Sequence, residues 1–180
     1  MILIISTNSE PLHYEEFVKP VEEILKEKKA KFKTLHYSKL KNSDIKNSSK
    51  IIITGTSLKD NKFLKDIKKF EFIKKYNKSI LGICAGHQII SSIFGARIKS
   101  ETEIGYYFEF FSRKFLEIEG EHEVYHLHNN YTTLPENFIS FTKGKIPQAI
   151  RHREREIYGV LFHPEVRNRK VIEKFAGNNI

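Results

Sequence analysis

The chain has 180 residues, 39% of them hydrophobic, and a formal net charge of +9, which fits one domain with a full core and leaves no room for two of ordinary size. Its longest apolar runs, such as Met1 to Ile5, are far too short for a membrane-spanning helix. Of the 31 basic residues 24 are lysines, scattered rather than clustered with aromatics on one face, so a nucleic-acid partner is not expected.

Met1 to Pro11 has no basic region ahead of its apolar residues and reads as a buried first strand, not a secretion signal. A lone cysteine, Cys84, cannot form an internal disulfide, and the cytoplasm is the expected compartment. Apolar, β-branched runs at 2–5, 33–36, 50–54 and 80–83 predict buried parallel strands. Between them Phe17, Val21, Ile24 and Leu25, and then Phe63, Ile67 and Phe70, recur at helical spacing. This alternation predicts a three-layer, doubly wound, mostly parallel α/β sheet of flavodoxin-like type, with its ligand site at the carboxyl ends of the strands.

The fourth run leads straight into Gly82-Ile83-Cys84-Ala85-Gly86-His87-Gln88, followed by the helical segment 87–94. A cysteine bracketed by glycines between a strand and a helix predicts a nucleophile elbow. The thiol then projects at the positive end of a helix, which favours the thiolate. From about Ile98 the segments 106–111, 114–118, 124–127, 138–142 and 149–152 predict antiparallel strands added to the parallel core. A last buried strand over 157–162 and a helix from about Pro164 to Phe175 close what reads as a single domain, 1–180.

A cysteine nucleophile needs a base and the base an orienting group. His163-Pro164-Glu165, at the end of the last strand, supplies both: Glu165 holds one imidazole nitrogen and the other faces Cys84. Backbone N–H groups of Ala85 and of Gly55 or Thr56, in the turn after the third strand, are candidate donors to an oxyanion. The set describes attack on an amide or ester carbonyl through a thioester. His13, His36 and His122 carry no motif, and His87 reads as structural. His126 and His128, two apart on a strand, have no carboxylate or thiol companion at ligand spacing, so no metal site is expected. The stretch Arg151-His152-Arg153-Glu154-Arg155-Glu156 reads as an exposed hairpin or as a docking edge for an acidic partner.

Gly82 to Gln88 resembles the G-[IV]-C-x-G-[HM]-Q nucleophile motif of the class I, triad-type glutamine amidotransferases, and Phe162-His163-Pro164-Glu165 resembles their F-H-P-E motif. The resemblance implies a glutaminase in which Cys84, His163 and Glu165 form the triad and Gln88 helps to hold glutamine. Within the family, Arg151-His152 followed by Ile157 to Val160 is similar to the tail of GMP synthetase glutaminase domains, including the free-standing archaeal ones. That implies ammonia delivery to a partner synthase, an ATP pyrophosphatase converting XMP to GMP, with no cofactor in this chain and ATP and Mg²⁺ on the partner. The family's S-H-x-D segment, near the substrate, corresponds to Leu127-His128-Asn129-Asn130, which places His128, Asn129 and Asn130 as glutamine contacts. Its S-G-G-P oxyanion turn corresponds to Thr54-Gly55-Thr56-Ser57. Two further readings use the same fold: a stand-alone γ-glutamyl hydrolase, and a non-catalytic regulatory protein with an altered glutamine pocket.

Overall fold

A computed structural model describes residues 1–177. Strands β1 (Ile2–Ser6), β2 (Phe32–His36), β3 (Lys50–Ile53), β4 (Ser79–Ile83), β7 (Phe138–Ser140), β8 (Ala149–His152) and β9 (Ile157–Val160) form a seven-stranded sheet in the order β2-β1-β3-β4-β9-β8-β7. The first five in that order are parallel, while β8 and β7 are antiparallel additions. The parallel strands read as unbroken apolar runs because both faces are covered. In β1, Ile2 and Ile4 pack on one side and Leu3 and Ile5 on the other.

One covering layer holds α1 (Pro11–Phe17), α2 (Lys19–Glu27) and the closing helix, whose Val21, Leu25, Val171, Ile172 and Phe175 share a core with Ile2 and Ile4. The other holds α3 (Asn42–Asn47), α4 (Lys62–Lys65), the 3-10 helix Ile67–Lys74 and α5 (Ala85–Ile93), with Phe70, Ile89 and Ile90 against Leu3 and Ile5. The apolar period across 17–25 is carried by two helices, with Val18 at their junction and Pro20 in the first turn of α2.

The antiparallel region departs from expectation. β5 (Ile98–Phe115) and β6 (Ile118–Thr132) form one long hairpin, a separate two-stranded sheet. The expected strand 114–118 contains the turn itself, where Leu116 and Glu117 both take positive φ, 42° and 81°. Such turns normally carry Asn or Gly; neither occurs here, so the sequence carried no turn signal. The closing helix, α6 (Lys170–Gly177), starts later than Pro164. Residues 164–169 instead form a turn in which Asn168 has φ 73°. Lys50, buried at the start of β3, donates to the carbonyls of Phe175 and Ala176 at 2.7 and 3.1 Å and so ties α6 to the sheet. Among the described residues no helix is long and apolar enough to cross a membrane.

Candidate active site

Cys84 sits between β4 and α5 with φ 47° and ψ −98°, a conformation costing a non-glycine residue about 1–3 kcal/mol. The two bracketing glycines permit the turn by close approach. A Cβ on Gly82 would lie 2.4 Å from the carbonyl carbon of Gly86, and one on Gly86 would lie 2.3 Å from the Ile53 carbonyl oxygen. The Cys84 N–H donates to Val160 O at 2.8 Å, which fixes the elbow to β9. Three residues beyond Val160 comes His163, whose own N–H donates to Tyr125 O on β6 at 2.8 Å. Parallel β4 and β9 thus deliver Cys84 and His163 to one edge of the sheet.

The expected base and orienting acid meet. His163 Nδ1 lies 2.7 Å from Glu165 Oε1, with both side chains buried. The other ring nitrogen, Nε2, is buried and has no hydrogen-bond partner among the described residues. Burial works against a charged ring, yet the Glu165 carboxylate and then the Cys84 sulfur outweigh it and hold the His163 pKa well above its ordinary value. The ring of Phe17 packs against the imidazole at 5.5 Å between centroids. The Cys84 thiol donates to the backbone carbonyl of Leu127 at 3.5 Å. That contact comes from main chain, so the Leu127 side-chain identity does not govern it.

Thr56, Ala85, Gln88, His128, Asn129 and Asn130 line one small cavity together with Cys84. Gln88 Nε2 donates to Asn130 O at 3.0 Å, and its Oε1 is buried without a partner among the described residues. Asn129 Nδ2 donates to Leu58 O at 3.2 Å, which holds the β6 segment against the loop after β3. Gly55 lies under His163 and Cys84 instead of in the cavity wall: a Cβ there would meet His163 Cε1 at 2.7 Å and Cys84 Cβ at 3.4 Å. Its carbonyl accepts from Thr7 Oγ1 at 3.2 Å. Because a trans peptide points its C=O and the next N–H in opposite directions, the Thr56 N–H points away from Thr7.

Asp60, which sequence reasoning missed, braces the same loop. It accepts from Thr56 Oγ1 at 3.1 Å and from Ser9 N and Oγ at 2.6 and 3.0 Å. Burial opposes its charge, but these hydrogen bonds hold its pKa below the usual carboxylate value. Nothing in the sequence marks Asp60, because its partner Ser9 lies in a different loop.

His87 lies on α5, away from the wall of the cavity. It is fully buried, 3.2 Å from Thr132 Oγ1, and burial pushes its pKa down to about 3. The Arg151 to Glu156 stretch forms the β8–β9 hairpin, in which Arg155 donates to the carbonyls of Ile73 and Lys74 at 2.9 and 3.1 Å and to that of Tyr76. Arg155 is thus a clamp on the 3-10 helix, while Arg151 pairs with Glu156. For His126 and His128 the expectation fails in one respect. A carboxylate companion does exist: Glu103 on β5, with its Oε2 2.9 Å from His126 Nδ1 and 2.9 Å from His128 Nε2. Antiparallel pairing sets Glu103 opposite His128, a neighbourhood that linear spacing does not show.

Residues 13–178 match the family model described as glutamine amidotransferase class-I. The chain belongs to that family. Among its relatives is a glutamine-hydrolyzing GMP synthase subunit of Methanosphaera stadtmanae, 40% identical over 106 residues, 54% of this chain and 57% of that protein. The corresponding GMP synthase subunit of Methanosarcina acetivorans is 33% identical over 124 residues, 61% of this chain and 62% of that one. The matched stretch thus spans about six tenths of each relative's length. A crystallised Thermoplasma acidophilum protein proposed as a GMP synthase subunit superimposes with a TM-score of 0.85 at 23% identity, covering 98% of this chain and 92% of that one. A Thermotoga maritima glutamine amidotransferase gives 0.73 at 23% identity, covering 94% and 78%. These likenesses establish the amidotransferase fold, a mostly parallel sheet with antiparallel strands added.

Proposed function

We propose that this chain is a glutaminase subunit that hydrolyses the side-chain amide of L-glutamine and passes the ammonia to a separate ATP-dependent synthase. The observation that carries this reading is the strained elbow at Cys84 sharing a buried edge with the His163–Glu165 pair, 2.7 Å apart. Cys84 Sγ attacks the amide carbon, and the carbonyl electrons move onto oxygen. Ala85 N–H, with a backbone N–H from Gly55 or Thr56, stabilises that oxyanion. The imidazolium of His163 donates its proton to the departing nitrogen, ammonia leaves, and a thioester remains. Water then attacks the thioester while His163 takes its proton, and glutamate and the thiolate are released. Gln88, His128, Asn129 and Asn130 hold the amino-acid end of the substrate, and Gln88 Oε1 is a ready acceptor for it.

The acceptor on this reading is a GMP synthase partner, an ATP pyrophosphatase that binds XMP, ATP and Mg²⁺, leaving this chain without a cofactor of its own. The names of the relatives support it. So does the outer face of the hairpin, where Ile104, Tyr106, Phe108 and Phe110 are 44–69% exposed in a row starting opposite Leu127 at the cavity. Rows of this kind mark interaction surfaces. The cytoplasm, where purine nucleotides are made, is the matching compartment. Glutamine-dependent ammonia release, measured with the co-purified synthase partner, XMP and ATP with Mg²⁺, tests the assignment. Release far above that of Cys84→Ala is expected; equal release from the two proteins rejects the enzyme.

A further inference from the structure

On the inner face of the hairpin lies a cluster that the chemistry of Cys84, His163 and Glu165 does not use. One donor atom from each of Glu103, His126 and His128 stands within 4.8 Å of the other two, and both histidines are buried. Although the carboxylate oxygen is 2.9 Å from one nitrogen of each ring, neither ring has an aligned hydrogen-bond partner among the described residues. Buried ring nitrogens this poorly satisfied require an explanation, since buried polar atoms are nearly always satisfied. We propose that Glu103, His126 and His128 bind a divalent transition-metal ion of the zinc class, which clamps β5 to β6 beside the cavity containing Cys84.

The donor set and its surroundings suit such an ion. Two imidazole nitrogens and one carboxylate oxygen form a borderline set that selects zinc, cobalt or nickel over magnesium and calcium. Bonds of about 2.0–2.1 Å in a tetrahedron set the ligand atoms about 3.3 Å apart. The 2.9 Å separations then need to open by only a few tenths of an ångström. Outer-shell groups are close at hand. Gln148 Nε2 donates to Glu103 Oε2 at 2.7 Å, and Glu109 Oε1 lies 3.7 Å from His126 Nε2, the nitrogen facing away from Glu103. A carboxylate behind a ligating histidine and an amide behind a ligating carboxylate are the usual means of orienting metal ligands. Tyr107 stacks on His126 at 4.6 Å and 12°, which fixes the ring plane. A register irregularity between Ser100 and Glu103 directs the carboxylate toward the histidines. His128 also lines the cavity, so the fourth coordination position is open to water from that side.

The inference does not depend on the glutaminase reading and is tested without activity. Cobalt(II) is titrated into chelator-treated Cys84→Ala protein, which removes the only thiol, and binding is followed by visible absorption and by the rise in Tm. One ion per chain with the strong visible bands of a tetrahedral N/O site is expected. Glu103→Gln and His126→Gln should each weaken binding by more than about tenfold, with circular dichroism confirming that each variant is folded. His13→Gln, remote from the cluster, should bind as the parent does. Absence of binding in Cys84→Ala overturns the proposal, as does binding that survives both ligand substitutions. If both ligand variants fail to fold, competition of cobalt by zinc at one site per chain, with histidine NMR shifts confined to His126 and His128, supports the site. Shifts at other histidines overturn it.

Discussion

The Cα of Gly55 lies against the imidazole of His163, so that a methyl group placed there would come within 2.7 Å of Cε1. A contact that short cannot persist, and His163, held through Glu165, would have to move. Gly55→Ala is predicted to lower kcat/KM for glutamine by about 10²-fold, the usual consequence of an ångström-scale misplacement. Steady-state kinetics at unchanged circular dichroism check it, and near-wild-type turnover would show that the contact is irrelevant to catalysis.

The pair His163–Glu165 sets a pH dependence. Because the folded His163 pKa stands well above 6.5, chiefly through Glu165 against the opposing effect of burial, the stabilisation it supplies is complete below that ordinary value. It is lost as pH rises through the raised one. The Tm gap between wild type and Glu165→Gln should be larger at acidic than at strongly alkaline pH. The same substitution should move the alkaline limb of kcat/KM to lower pH and cut kcat by up to about 10⁴-fold.

Backbone strain at Cys84 predicts an inverted ranking. At ordinary positions alanine is more stable than glycine, but at φ 47° the Cβ is the source of the strain. Cys84→Gly should exceed Cys84→Ala in stability by about 1 kcal/mol, or roughly 2–4 °C in Tm for a chain of this size. Both variants should be inactive. An alanine variant as stable as the glycine one would mean that the elbow relaxes when the sulfur is removed.

Lys50 holds α6 from below its last turn, with its Nζ 2.7 Å from Phe175 O. Lys50→Met fills similar volume but leaves two carbonyls at the end of the helix without that donor. A loss of about 1–3 kcal/mol is expected in denaturant titration, with kcat at 25 °C preserved because Cys84 lies at the opposite end of the strands. A large fall in kcat in folded protein would tie the lysine to the site instead.

The sequence by itself determined the parallel core, the elbow and the histidine–carboxylate pair. Each is written in local chemistry: unbroken apolar strands, glycines bracketing a cysteine, and a proline holding histidine and glutamate at a strand end. Gln88, His128, Asn129 and Asn130 also line one cavity with Cys84.

What only the tertiary structure decided is whatever depends on residues brought together by pairing or crossing. The turn at Leu116 and Glu117 carries no glycine to announce it, so the hairpin emerged from strand pairing. Asp60 braces Thr56 and Ser9 across two loops, Leu127 offers the thiol a main-chain carbonyl, and Glu103 reaches His126 and His128 from the neighbouring strand. Side-chain type and spacing report what a segment does with its own backbone. The distance between a carboxylate on one strand and two imidazoles on another exists only once the register of the sheet is set.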